Sequence, residues 1–592
     1  MPTLTIDNKK IEVPEGTTLL EAARQAGIRI PTLCYLENVQ AIGACRVCLV
    51  EVEGAKTLVP SCVTPAAEGM TVRTNTRRVR EARRTVVELI LSDHDGDCQT
   101  CDRNGDCELQ SLAQELGIRE IEFPGEKSLP ITDSSTAALV RDSAKCILCR
   151  RCVTVCGETQ GVAAIFPQNR GFASVVGPAF CSNLEEVVCV QCGQCAAVCP
   201  VGAISERDQI DEVWAVLDDP AKHVVVQTAP AIRAALGECF DYPPGTLVTG
   251  KMVSALHRLG FDGVFDTNFA ADLTIMEEGS ELLQRLKLAL LEGKSVALPQ
   301  FTSCSPGWIK YAEHFYPEFL PNISTCKSPQ QMFGAVAKTY YAESLGKRPE
   351  DIVVVSVMPC TAKKYECERP EMNDSGVKDV DIVLTTRELG RMIKQAGIDF
   401  DSLPDEKMDR LLGMSSGAAD IFANTGGVME AALRTAYEIV TGRALPFPNL
   451  HVTPIMGLDG VKEAALKIEG VLPEWSFLEG VTLKVAVAHG LGNARKVIEH
   501  IKSGSPDAQY HFVEIMTCPG GCIGGGGQPR LTSDEVRKAR IAAIYKEDEG
   551  KELRASLHNP EIKLIYERYL KEPLGEKSHH LLHTAYTPRA RV

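Results

Sequence analysis

Along the first 80 residues the apolar positions come in short bursts. Leu4-Thr5-Ile6 and Ile11-Glu12-Val13 alternate as strands do, and residues 19–26 form a helical stretch that Thr17 could cap. From about residue 210 the pattern changes to compact, β-branched runs at 224–230, 295–300, 352–357, 381–384 and 485–488. Helical stretches such as 280–291 and 328–345 separate them. Buried strands alternating with helices imply parallel sheet in α/β units. Ligands of such folds gather at the carboxyl ends of the strands. Three cysteines fall there and are expected on one edge: Cys304 after the 295–300 run, Cys360 after 352–357, and Cys518 after a strand near 511–516. The fold expected is a multidomain α+β and α/β chain.

Composition narrows the function. At 592 residues there is room for about four domains. With 44% hydrophobic and 24% charged residues the chain is ordinary globular protein. Lys plus Arg number 63 against 78 Asp plus Glu, a net charge of −15 that argues against a nucleic-acid surface. No run of about 18 apolar residues offers a membrane span. The first residues lack a charged-then-apolar leader, so a cytoplasmic location is expected. The unusual number is 23 cysteines, which in such a chain points to metal chemistry rather than disulfides.

Those cysteines are grouped. Cys34, Cys45, Cys48 and Cys62 read C-x10-C-x2-C-x13-C, which suits a [2Fe–2S] cluster, where a zinc ribbon would show two C-x2-C pairs. Cys98, Cys101 and Cys107 are one thiolate short of a [4Fe–4S] cube, and His94 fills the vacant position; a solvated histidine or a zinc site are the alternatives. Cys146, Cys149, Cys152, Cys156 and Cys189, Cys192, Cys195, Cys199-Pro200 are the two-cluster ferredoxin run, twice. In that pattern the fourth cysteine of each run serves the other cube. One cube should take Cys146, Cys149, Cys152 and Cys199, and the other Cys189, Cys192, Cys195 and Cys156. Cys181 reads as a small apolar residue, and Cys239, Cys326 and Cys367 have no assignable role. The domains expected are 1–78 ([2Fe–2S]), 79–126 (His/Cys3-ligated [4Fe–4S]), 127–209 (two [4Fe–4S]) and 210–592.

Around the later cysteines the chain reads Thr302-Ser303-Cys304-Ser305-Pro306-Gly307-Trp308, then Met358-Pro359-Cys360-Thr361-Ala362-Lys363, then Met516-Thr517-Cys518-Pro519-Gly520-Gly521-Cys522 followed by the glycines 524–527. This set resembles the three signature segments of the iron-only ([FeFe]) hydrogenases, and the first 200 residues resemble that family's long form with four accessory clusters. The resemblance implies one [2Fe–2S] cluster, three accessory [4Fe–4S] clusters and an H-cluster. The last is a cube sharing a thiolate, here Cys522, with a di-iron unit carrying carbon monoxide, cyanide and a bridging dithiolate. Cys360 and Cys518 are implied as cube ligands. The glycine run would let backbone approach the cluster. Lys363 offers an ammonium to a cyanide ligand, and Met358 and Met516 could pack on the di-iron unit, though such residues are also ordinary surface and core. Cys304, Glu278, Ser324 and Glu281 match the proton-relay positions, with Arg285 outermost. If helical, Glu278 and Glu281 share a face, and without the resemblance that face reads as solvated.

One position departs. The family pattern has a second cysteine before the proline as cube ligand, and this chain has Ser305. Either Ser305 ligates as an alkoxide, or Cys304 turns to ligate, or three thiolates hold the cube. The resemblance implies reversible conversion of protons and electrons to dihydrogen, with ferredoxin or flavin- and NAD(P)-binding subunits as partners and maturation proteins to build the H-cluster. Gly490-Leu-Gly492-Asn-Ala-Arg495 lacks the third glycine of a dinucleotide fingerprint and reads as a strand-to-helix turn. The rival reading is a hydrogen sensor or non-catalytic electron-transfer relative, favoured only by Ser305. The tail histidines His579, His580 and His583 suggest packing or a solvated face more than a metal site.

Overall fold

The computed structural model describes residues 1–123, 125–530 and 532–591. The N-terminal part is a five-stranded sheet in the order Lys9–Glu12, Thr3–Ile6, Thr71–Arg73, Leu49–Val52, Val59–Pro60. Its helix, Leu19–Gln25, is capped by Thr18 rather than Thr17. The reason is reciprocal bonding. Thr18 Oγ1 accepts from Glu21 N at 3.3 Å, and the Glu21 carboxylate accepts from Thr18 N at 3.0 Å. Thr17 would have Leu20 at the third position and no such partner.

A helix, Arg77–Asp93, then ends at His94, whose backbone turns extended. The double cysteine run forms a small repeat. Each half turns through a left-handed residue, Arg150 (φ 63°) or Gly193 (φ 71°), into a short helix, Arg151–Thr154 or Gln194–Val198. Antiparallel strands Leu139–Asp142 and Ile204–Glu206 close the unit.

The large part carries two four-stranded sheets. One has the order Gly263–Asp266, His223–Thr228, Ile352–Met358, Ile382–Thr385, all parallel. The other has the order Gln300–Phe301, Phe512–Met516, Thr482–His489, Val461–Lys467, with only the last pairing antiparallel. The strand expected at 295–300 therefore shrinks to two residues. Pro299 has no N–H to give a ladder, and residues 291–295 are exposed. The three cysteines expected on one edge come from two sheets: Cys360 follows a strand of the first, and Cys304 and Cys518 follow strands of the second.

Between the two cores runs the 24-residue helix Thr267–Leu290. Phe269, Ala270 and Leu273 pack into the core of the first sheet, and Ile275, Leu282 and Leu283 into that of the second. Glu278 and Glu281, placed on this helix, are both buried. Gly490 (φ 77°) makes the expected strand-to-helix turn into Leu491–Lys502. The C-terminal helices Asp534–Glu549, Pro560–Ile565 and Glu576–Leu582 lead to a bridge between His583 and Cys326.

Candidate active site

In each accessory region at least two thiols lie close to one another. Cys48 and Cys62 sulfurs are 3.4 Å apart, and Cys34 Sγ accepts from Cys45 N at 3.5 Å. His94 is buried and its Nδ1 has no hydrogen-bond partner among the described residues. Burial lowers its pKa, which keeps the imidazole neutral and free to donate a lone pair. Cys101 Sγ sits against Gly202, where a Cβ would approach it to 2.7 Å, and Cys107 Sγ is 3.8 Å from Pro200 O. Cys146, Cys149, Cys152 and Cys199 line one cavity. The pKa values of Cys189, Cys192 and Cys195 are raised by burial first and then by neighbouring thiols, Cys156 among them in each case. Cys199 thus lies with the thiols of the first run, and Cys156 with those of the second. Cys181, expected to pack as a small apolar residue, is instead exposed in a left-handed turn, because the loop around Phe180 projects from the body.

The sites abut. Gln40 Nε2 bridges Cys34 O (2.6 Å) and Cys149 O (3.0 Å), and Arg103 Nη1 bonds Cys199 O at 2.7 Å. On the other side Cys192 is among the thiols bearing on Cys518, after burial and Cys360. Gln194 Nε2 donates to Gly524 O at 2.9 Å and Thr361 Oγ1 to Gln191 O at 2.8 Å. A chain of thiol sets thus runs from the N-terminal sheet to the large domain.

In the large domain Cys360, Cys518 and Cys522 converge, each with its pKa raised by burial and, for Cys518 and Cys522, next by Cys360. Cys304 is raised well above its usual range by burial, then by Glu278 and Cys522, so it stands between the thiols and the carboxylates. Met358 and Met516 end their strands, each 2% exposed. Lys363 is buried and donates to Cys304 O (3.1 Å) and Glu366 Oε2 (2.9 Å). Ser305 Oγ lies 2.7 Å from Thr517 Oγ1 and accepts from Thr517 N at 3.3 Å.

The glycines 524–527 are packed against other protein segments. A Cβ on Gly524 or Gly525 would run into the carbonyl oxygens of Pro519 or Pro359, and one on Gly526 into Cys192 O. The run lets three backbone segments touch.

Glu278 Oε1 accepts from Ser303 N (3.3 Å) and Ser303 Oγ (3.4 Å), while its Oε2 is buried without a partner among the described residues. Burial, and then Glu281, raise Glu278 to about 8. Glu281 Oε2 accepts from Ser324 Oγ at 2.7 Å, and its Oε1 from Arg285 Nη2 at 2.6 Å. Arg285 also caps the carbonyls of Ala297, Pro321 and Ile323. Arg285, Glu281, Ser324, Glu278 and Cys304 thus form one line leading inward to the thiols.

Sequence reasoning missed several partners. Glu514 accepts from Gly426 N (2.6 Å) and Met429 N (2.7 Å) and is raised to about 7, by burial first. Glu366 pairs with Lys363, and Ser303 links Cys304 to Glu278. Glu514, two residues before Met516 in a buried strand, was visible as a charge in an apolar run.

Comparison with known proteins defines the class. Residues 222–526 match the iron only hydrogenase large subunit, C-terminal domain, and 534–589 the iron hydrogenase small subunit. Residues 1–77 match a 2Fe-2S iron-sulfur cluster binding domain, 83–122 the NADH-ubiquinone oxidoreductase-G iron-sulfur binding region, and 145–203 a 4Fe-4S dicluster domain. The chain is 54% identical to the NADP-reducing hydrogenase subunit HndD of Solidesulfovibrio fructosivorans over 100% of both chains. It is 39% identical to iron hydrogenase 1 of Clostridium pasteurianum over 99% of this chain and 100% of that one. A solved variant of the [FeFe]-hydrogenase HydA1 from Chlamydomonas reinhardtii superposes with a TM-score of 0.58 at 45% identity, covering 65% of this chain and 100% of that one. These matches make it an iron–sulfur oxidoreductase. More particularly, the chain belongs to the iron-only hydrogenases and is an enzyme of that family.

Among the described residues no helix is long and apolar enough to cross a membrane. The donor chemistry fits iron–sulfur groups: clustered buried and half-buried thiols, and one neutral imidazole with an orphaned nitrogen.

Proposed function

We propose that residues 210–592 work as an H-cluster domain held by Cys360, Cys518 and Cys522, with Cys522 bridging to the di-iron unit. Residues 1–78, 79–126 and 127–209 carry one [2Fe–2S] and three [4Fe–4S] clusters on the fifteen cysteines of the four sets and His94. When bound, the H-cluster would supply the electrons and the metal chemistry for making or splitting dihydrogen. The protein's part is to deliver protons and to keep water out.

Protons enter beside Arg285 and pass Glu281 and Ser324 to Glu278 and Cys304. Glu278, raised to about 8, keeps its carboxyl proton near neutral pH, and its unpartnered Oε2 is free to hand that proton on. Cys304 holds its proton at Sγ because burial disfavours the thiolate. Lys363, fixed by Glu366, presents an ammonium to the site, and Met358 and Met516 close it with apolar surface. Cys304 remains on the relay side, next to Glu278, which favours three thiolates for the cube and leaves the fourth place to the Ser305–Thr517 hydroxyl pair. The observation that carries the reading is this one buried line from Arg285 through two carboxylates to Cys304 and the three converging thiols.

As partners we infer flavin- and NAD(P)-binding subunits, supported by the full-length match to a subunit of an NADP-reducing hydrogenase, with ferredoxin as the alternative donor. Maturation proteins would install the di-iron unit, and a cytoplasmic setting suits clusters that need reducing conditions. The deciding experiment is an infrared spectrum of anaerobically matured protein. Bands of metal-bound carbon monoxide and cyanide are expected, lost in Cys522→Ala while accessory iron remains. Full accessory iron without those bands would overturn the catalytic reading. Flavin-containing subunits co-purifying with the tagged chain from its own cell extract would separate the two partner types.

A further inference from the structure

The helix Pro306–Phe315 starts directly after Ser305 and carries a buried cation that the proton relay does not use. Lys310 is 2% exposed. Beside it in the chain, Ile309, Tyr311 and Ala312 lie in one apolar core with Cys189, and Cys156, Cys192 and Cys195 pack against that core. The lysine thus sits on the element that backs the second thiol set. That set is the one joined to the catalytic loop, since Gln194 of the same run donates to Gly524 O.

Taking an ammonium out of water is costly unless a counter-charge meets it. Lys310 has no carboxylate to itself among the described residues. Its Nζ stands 4.4 Å from the centroid of the Tyr365 ring, and burial and through-space charges are what act on it, with no hydrogen bond. An aromatic face attracts a cation without neutralising it. The same ring is faced by Arg369 at 6.0 Å and Arg589 at 5.7 Å. Those two guanidinium groups occupy the nearby carboxylates. Glu313 takes Arg369 at 2.7 Å and Arg589 at 2.7 Å, and Glu371 takes Arg369 at 3.5 Å. Glu185 is exposed and accepts from Gln191 Nε2 at 2.8 Å.

The buried group left to answer the charge is Cys189. Burial raises the Cys189 thiol, and Lys310 is the strongest influence pulling it back down. A cube on four thiolates is net negative, and more so once reduced, so a fixed cation beside it favours the reduced form.

We propose that Lys310 is the counter-ion of the cube held by Cys189, Cys192, Cys195 and Cys156, and that its charge raises that cube's reduction potential, making it the favoured first acceptor for electrons leaving the reaction site. Splitting dihydrogen releases the electron that the cube takes up; no bond to Lys310 changes and it keeps its proton. Lys310 therefore acts through the cube and is a positioning charge. The proposal rests on the reading above that this thiol set carries a [4Fe–4S] cluster.

The test is an electron-paramagnetic-resonance redox titration of the anaerobic, fully loaded holoenzyme, with iron analysis. In Lys310→Met one [4Fe–4S] couple should fall by about tenfold or more in its reduced-to-oxidised ratio at a given potential, which is about 59 mV for one electron, while the [2Fe–2S] and remaining couples stay in place. Lys310→Arg keeps the charge and should keep the wild-type potential. The ratio of hydrogen uptake to evolution should fall in Lys310→Met and recover in Lys310→Arg. An unmoved couple in Lys310→Met, or an equal shift in Lys310→Arg, overturns the proposal. Loss of one cube's iron in Lys310→Met alone upholds the counter-ion, and loss in both variants overturns it. A shifted couple with an unaltered uptake ratio upholds the counter-ion and overturns the acceptor role. Wild type short of one accessory cube's iron would overturn the cluster reading itself, and the proposal with it.

Discussion

Ser305 stands where the family resemblance leads to a cysteine, and its hydroxyl is engaged by both the hydroxyl and the backbone N–H of Thr517, one residue from Cys518. Restoring the thiol in Ser305→Cys adds a negative ligand to the cube. A lower midpoint potential in an electron-paramagnetic-resonance redox titration is expected, with the accessory clusters unmoved. An unchanged potential would mean that position 305 does not touch the cube. Glu278 is the second residue-scale case. Its carboxyl is raised to about 8 because it is buried and faces Glu281, so the proton it lends is present below that pH and lost above it. Glu278→Gln should lower turnover about 10²- to 10⁴-fold at unchanged iron content, and wild-type hydrogen evolution should decline through pH 8. The same shift costs stability: the unfolded carboxyl ionises near its ordinary value while the folded one stays protonated. Stability therefore falls between about pH 4.3 and 8 and levels off above.

At the scale of elements, the Thr267–Leu290 helix and the glycine run do what neither shows in sequence. The helix is buried on nearly all sides, which is why its carboxylates are functional candidates and not a wet face. The run Gly524–Gly527 seats the catalytic loop against the Pro359 loop and the Cys192–Gly193 turn of the ferredoxin-like part. Gly526→Ala would drive a methyl group into the Cys192 carbonyl. A loss of about 1–3 kcal/mol is expected, read as a lower unfolding midpoint, together with slower reduction of the catalytic domain by an external donor. An unaltered midpoint would mean that the two segments separate freely.

For the whole molecule the joint between the electron-transfer and catalytic parts is partly ionic. Glu206 pairs with Arg387 at 2.7 Å, Arg391 at 3.2 Å and Arg530 at 3.5 Å. Burial alone would raise the Glu206 pKa, but Arg387 first and then the other guanidinium groups hold it well below the usual carboxylate range. Its contribution is therefore present above about pH 4.3 and lost only as the pH falls through that lowered value. Glu206→Ala leaves Arg387 buried without its carboxylate and should cost about 3–5 kcal/mol, measured by denaturant unfolding of the full chain. A change below about 1 kcal/mol, the size of an exposed pair's contribution, would make the joint apolar instead.

The sequence by itself determined the metal chemistry, because cysteine spacing is a local covalent property: C-x2-C loops put thiols within reach of one cluster whatever surrounds them. It also determined most strands of the large part, since β-branched apolar runs specify buried parallel sheet. The 295–300 run failed because Pro299 and exposed neighbours outweigh its apolar side chains, and Thr17 failed because a capping box needs Glu21 at the right distance. What only the tertiary structure decided is which groups are dry and which distant groups meet. The i, i+3 spacing of Glu278 and Glu281 gives no sign of burial, and only the closing of two cores over their helix makes them dry. Cys326 and His583, 257 positions apart, acquire a relation only when the C-terminal segment bridges back. Burial and long-range contact depend on the sum of packing over the whole chain, and no local pattern encodes that sum.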